Sequence, residues 1–124
     1  MIFAAEVYGN SEFSFSHKEE IAKGELIEIT DAAINAGFRF PVVMTRAVWL
    51  ECIESIHDRE NGISLQEKRS RLQNILSKIY SECRRYLWSS SFVCQISNHV
   101  NVKVVIGIVN NGDVVITIML PYEN

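Results

Sequence analysis

The chain is poor in the residues that break or staple a fold. Two prolines and six glycines in 124 residues leave no room for a flexible linker. No glycine pair opens a helix as a phosphate-cradling loop, Gly9-Asn10-Ser11 being the nearest approach. The three cysteines, Cys52, Cys83 and Cys94, are odd in number and lack C-x-x-C spacing, which excludes a disulfide framework. They predict free, mostly buried thiols in a reducing compartment. His17, His57 and His99 stand about 40 residues apart with no neighbouring ligand at metal-binding spacing, so neither a metal nor a cofactor is expected. No apolar run approaches the roughly 20 residues of a membrane helix. Met1–Ala5 lacks the basic flank of a signal peptide, so the expected location is cytoplasmic, with no membrane partner. A net charge of −3 argues against broad nucleic-acid binding, which favours a basic surface, and acidic residues scattered in no block longer than Glu19-Glu20 do not make a DNA mimic.

What remains is ordinary for one globular domain spanning 1–124: 48% hydrophobic and 22% charged residues. The clearest pattern lies at the end. Val102, Val104, Ile106 and Ile108 alternate with Lys103, Val105 and Gly107, and Val114, Ile116, Ile118 and Leu120 alternate with Val115, Thr117 and Met119. Asn110, Asn111 and Gly112 between them predict a hairpin turn at positive φ. Phe92–Ser97 adds a preceding strand, with a turn at 98–100. Ser64 and Glu67 form a capping box opening a helix over about 65–87. Its stripe of Leu65, Leu72, Leu76, Ile79, Cys83 and Tyr86 is wide enough to lie on a sheet.

The first half predicts shorter pieces. Residues 1–15 read as an edge strand or an ordered arm. Ser16 and Glu19 form a capping box for a helix that Gly24 ends. Glu25–Ile29 reads as a strand, and Thr30 or Asp31 caps a helix through Ala36, closed by Gly37. Phe38–Met44 reads as extended, Thr45 as the N-cap of a helix over 46–55, and His57–Gly62 as a polar loop. The expected fold is α+β: an antiparallel sheet, with a C-terminal three-strand meander, packed on one face by the long amphipathic helix, plus short N-terminal helices.

Gly37-Phe38-Arg39-Phe40-Pro41-Val42-Val43-Met44-Thr45-Arg46-Ala47-Val48-Trp49, followed much later by Val115-Ile116-Thr117-Ile118-Met119-Leu120-Pro121, resembles the signature of a small bacterial domain family of unknown function. The resemblance runs from about residue 16 to the end. The family is found on plasmids, integrative elements and phages, so the resemblance implies a mobile-element setting and no reaction. One departure is the turn before the last strand, 107–113, where the family often has a Gly-Pro-Gly-Asp-like sequence.

No catalytic pattern emerges from the residues. Cys83 lies on the apolar stripe and Cys52 shares a face with Val48, which suits packing better than nucleophilic catalysis. The carboxylate pairs Glu19/Glu20, Glu51/Glu54 and Asp58/Glu60 read as solvated surface. Two features suit contact instead. Lys68, Arg71, Lys78 and Arg85 recur opposite the apolar stripe, as a solvated face or a docking stripe for an acidic partner or a phosphate backbone. Charge reversal at Arg71 and Lys78 is then expected to abolish docking and leave thermal stability nearly unchanged. Arg39, Arg46 and Trp49 are either structural or a compact recognition patch.

The expected function is that of a non-enzymatic mobile-element accessory protein that binds and inhibits a host defence complex, protein or ribonucleoprotein, of anti-CRISPR or anti-restriction type. A nucleic-acid-associated maintenance or regulatory protein is the alternative, and an enzyme acting on nucleotides the weaker one. An edge strand of such a sheet can also pair with its copy as a homodimer.

Overall fold

A computed structural model describes residues 15–86, 89–108 and 112–123. In chain order the elements are α1 (Phe15–Lys23), β1 (Leu26–Glu28), α2 (Thr30–Ala36), β2 (Val42–Thr45), α3 (Arg46–Val48, continued as a π-helical stretch Trp49–Ile53), α4 (Ile56–Asn61), α5 (Leu65–Arg85), β3 (Ser91–Ser97), β4 (Val100–Ile108) and β5 (Val114–Met119). The fold is α+β. The C-terminal meander exists as expected, β3–β4–β5, all antiparallel. It is part of a larger mixed sheet of order β1-β2-β5-β4-β3, in which β2 runs parallel to β5.

The inner face carries the core. Leu72, Leu76, Ile79 and Cys83 of α5 are buried against Val42, Met44, Val102, Val104, Ile116 and Ile118. Each fully buried aliphatic side chain contributes about 1.5–3 kcal/mol. Leu65 and Tyr86, placed on the same stripe by periodicity, are 60% and 44% exposed, Leu65 as the first residue of the helix and Tyr86 as its C-cap. Phe38 meets the Tyr80 ring edge-on at 5.2 Å and fixes α2 against α5. The outer face is also used: Val43 and Val115 are buried there, packed by Ile21 of α1 and Leu26.

Local chemistry corrects several expectations. Thr30 does not cap α2; Ile29 holds that position without a side-chain bond. The buried Thr30 hydroxyl accepts from the Val42 amide at 3.1 Å and lies 3.1 Å from a Glu28 carboxylate oxygen, stitching α2 to the sheet. The helix after Thr45 ends at Ile53 rather than Ser55. Thr45 caps it as expected, accepting from the Val48 amide, but the Glu54 amide bonds back five residues to the Trp49 carbonyl, which widens the last turn. The segment expected as a polar loop is helix α4. Ser55 and Asp58 form a reciprocal capping box in which Asp supplies the returning carboxylate. Helix α1 already includes Phe15, so Ser16 stands inside its first turn. Helix α5 ends at Arg85. The expectations for residues 1–14, and for Asn110 and Asn111 in the hairpin turn, lie outside the described residues.

Candidate functional site

The basic side of α5 is drawn into the structure. Arg71 donates to the Ile53 carbonyl and to Asp58, both at 2.9 Å, and lies 3.9 Å from Glu67. Lys68 pairs with Glu54 at 3.0 Å, and the other Glu54 oxygen accepts from the Trp49 indole at 3.4 Å. Lys78 donates to the Ile96 carbonyl of β3 at 2.9 Å. These three cations hold α3, α4 and β3 onto the long helix. Arg85 differs: it is 73% exposed, 3.8 Å from Glu82 and 5.9 Å from the Tyr86 ring centroid.

The Arg39–Trp49 motif is split by the strand it contains. Arg39 precedes β2 and Arg46 follows it, so they stand at opposite ends of the sheet. Both are exposed, and neither side chain has a polar partner among the described residues. Trp49 is half-buried and lines a cleft of about 520 Å³ between β1, α2 and α5, with Glu28, Asp31, Arg69, Leu72 and Gln73. A smaller cleft of about 320 Å³ opens beside the π-helical turn, bounded by Glu51, Cys52, Arg71 and Asn74. No residue of either lining is a histidine.

The titrating groups are tuned for packing. Burial, then the Glu51 charge, pushes the Cys52 thiol up to about 11. Burial, then the neighbouring Cys94, pushes Cys83 up to about 12. Cys94 is raised by burial and by Glu82, with Lys78 opposing. Such thiols are protonated at neutral pH and poor nucleophiles. We therefore expect all three to react with a disulfide-exchange reagent at least tenfold more slowly in native buffer than in denaturant, which a spectrophotometric thiol titration measures. Rapid native labelling of Cys52 would contradict it. Among the described residues no group of three His, Cys, Asp or Glu side chains could hold a metal ion, and no helix is long and apolar enough to cross a membrane.

The end of the sheet at which Arg39 stands holds what periodicity overlooked. Extending the β2–β5 register by two residues sets Phe40 level with Val114, whose partner on β4 is Ile108. Ile108 is 75% exposed and Phe40 38%. Helix α5 finishes towards the same end, where Tyr86 stacks on Phe92 with centroids 5.3 Å apart. Arg39, Phe40, Ile108 and Arg85 thus share one end of the molecule. Ile108 is the last residue of its alternating run, one step beyond the reach of the covering helices; that end position is the only sequence signal for it.

No protein-family model matches this chain, and neither does any curated protein or solved structure.

Proposed function

We propose that the chain is a non-enzymatic protein that acts by contact with an acidic protein partner, through the sheet end formed by Arg39, Phe40 and Ile108. The observation that carries this reading is an exposed aliphatic and an exposed aromatic side chain at one level of the sheet, Ile108 on β4 and Phe40 just before β2 with β5 between them, beside an arginine with no internal commitment. Arginine and aromatic residues dominate binding hot spots. Arg85 adds a second cation at the same end. The partner class rests on the mobile-element setting that the resemblance of the Gly37–Trp49 and Val115–Pro121 motifs implies: a host defence complex, inhibited by occupying a site on it. Binding of nucleic acid along α5 has less support, because Lys68, Arg71 and Lys78 are bonded within the chain.

Affinity capture from the source cells, followed by titration of the captured protein, tests this. Arg39→Glu and Ile108→Asp should each weaken binding about thirtyfold or more, the scale of a hot-spot truncation. Their melting temperatures should match wild type, since both side chains are exposed. Tyr122→Ala, exposed at the opposite end, should bind normally. Equal binding by all three variants would remove this end from the account. Steep weakening with salt on duplex DNA would favour the nucleic-acid reading.

A further inference from the structure

We propose that β3 is a self-complementary edge, through which two copies of this chain join into one continuous antiparallel sheet about a two-fold axis centred on Val93. Among the described residues β3 pairs only with β4. The Ile106 amide donates to the Ser90 carbonyl at 2.8 Å, and the register places Phe92 opposite Val104 and Cys94 opposite Val102. In an antiparallel ladder, residues whose N–H and C=O face the partner alternate with residues whose groups face away. Ser90, Phe92 and Cys94 therefore face β4, while Ser91, Val93 and Gln95 turn theirs to the free edge.

Three alternate residues with outward N–H and C=O groups define one favoured register. Val93 opposite Val93 of the second copy, flanked by Ser91 opposite Gln95 and the reverse, uses all of them in six backbone bonds. On the outer face the 53% exposed Val93 side chain meets its own copy. On the inner face Phe92 comes opposite Cys94. The β-bulge between Gln95 and Ser97 ends the flat stretch there, and Lys78 already takes the Ile96 carbonyl.

The chemistry of the edge singles out a second copy as its occupant. Edges meant to stay alone carry lysines, prolines or inward charges. Residues 89–98, Ser-Ser-Ser-Phe-Val-Cys-Gln-Ile-Ser-Asn, contain none of these. Lys103, across from Val93 on the outer face, is held by the Glu123 carbonyl at 2.7 Å and is not a gatekeeper of the edge. A neutral, polar–apolar strand with a two-fold symmetric register repels nothing in its own image. Closed two-fold assembly is the commonest outcome of such symmetry.

Sedimentation over a concentration series, paired with amide hydrogen exchange, tests the proposal on the full chain. Wild type should pass from monomer to dimer as concentration rises. The amides of Ser91, Val93 and Gln95 should gain protection with it, while those of Phe92 and Cys94, bonded to β4 in both states, stay constant. Val93→Pro deletes an outward donor on each copy and leaves the β4 ladder intact. It should shift the dimer midpoint about thirtyfold or more to higher concentration. Val93→Lys, a gentler change for the fold, should do the same by charge repulsion. A wild type monomeric throughout, or a dimer unmoved by both variants, overturns the proposal. So does concentration-dependent protection lacking the alternation.

Discussion

Gly37→Ala should lower the melting temperature by about 8–15 °C, the equivalent of roughly 2–4 kcal/mol in a domain of this size. Two independent effects add. Gly37 closes α2 at φ +116°, where an L side chain is strained. A Cβ there would also lie 2.9 Å from two carbons of the Tyr80 ring. Tyr80 cannot retreat freely, because it stands edge-on to the buried Phe38. The companion change Gly24→Ala separates the effects. Its φ of +80° is also left-handed, but nothing lies within 4 Å of the added carbon. It should show only the smaller backbone penalty of about 1 kcal/mol. Thermal unfolding followed by circular dichroism reads both. Equal losses in the two variants would show that the close approach to Tyr80 does not matter; no loss in either would show that the turn relaxes.

Gly37 was legible in the sequence as a helix stop, since a glycine directly after a short helix is a strong local signal. The Tyr80 approach was not, because it joins residues 43 positions apart. The same divide runs through the molecule. Strands β3, β4 and β5 and helix α5 are written in periodicity and capping, which act within a few residues. The β2–β5 parallel pairing is not, because only tertiary packing brings Val42 level with Ile116. Helix α4 was missed for a subtler reason. Its polar face suggested a loop, and its start rests on Ser55 and Asp58, a capping box with the shorter acid in the returning role. At the candidate site, the sequence marks Arg39, Arg46 and Trp49 as one motif, yet a strand of known length between Arg39 and Arg46 forces them apart. Phe40 and Ile108 read as core by composition. Their exposure depends on where the covering helices end, which is a property of the assembled layers.

Arg71→Met should lower the melting temperature at neutral pH by about 5–10 °C, the scale expected when a charged donor to buried or half-buried acceptors is lost. This reverses the stability expectation drawn from the sequence, in which the basic side of α5 was free to be recharged. Arg71 ties the π-helical turn, the start of α4 and the long helix together, through the Ile53 carbonyl and Asp58. Met keeps the apolar stem and removes the donors, so the loss reports the bonds. The pH dependence carries the diagnosis. The Arg71 guanidinium first, then the Ser55 amide and hydroxyl, hold the Asp58 carboxyl down at about 2, against 3.8 for an unconstrained aspartate. Between those values the unfolded chain binds a proton that the folded chain refuses, so stability falls as pH drops from about 4 to about 2. Above that window the full contribution is present. In Arg71→Met the largest cause of the depression is gone, and the acid-induced loss should shrink. Wild type and variant melting curves should therefore converge on acidification. A gap of constant size from pH 7 to pH 2 would assign the effect to the pH-independent bond to the Ile53 carbonyl and leave the ion pair without a role.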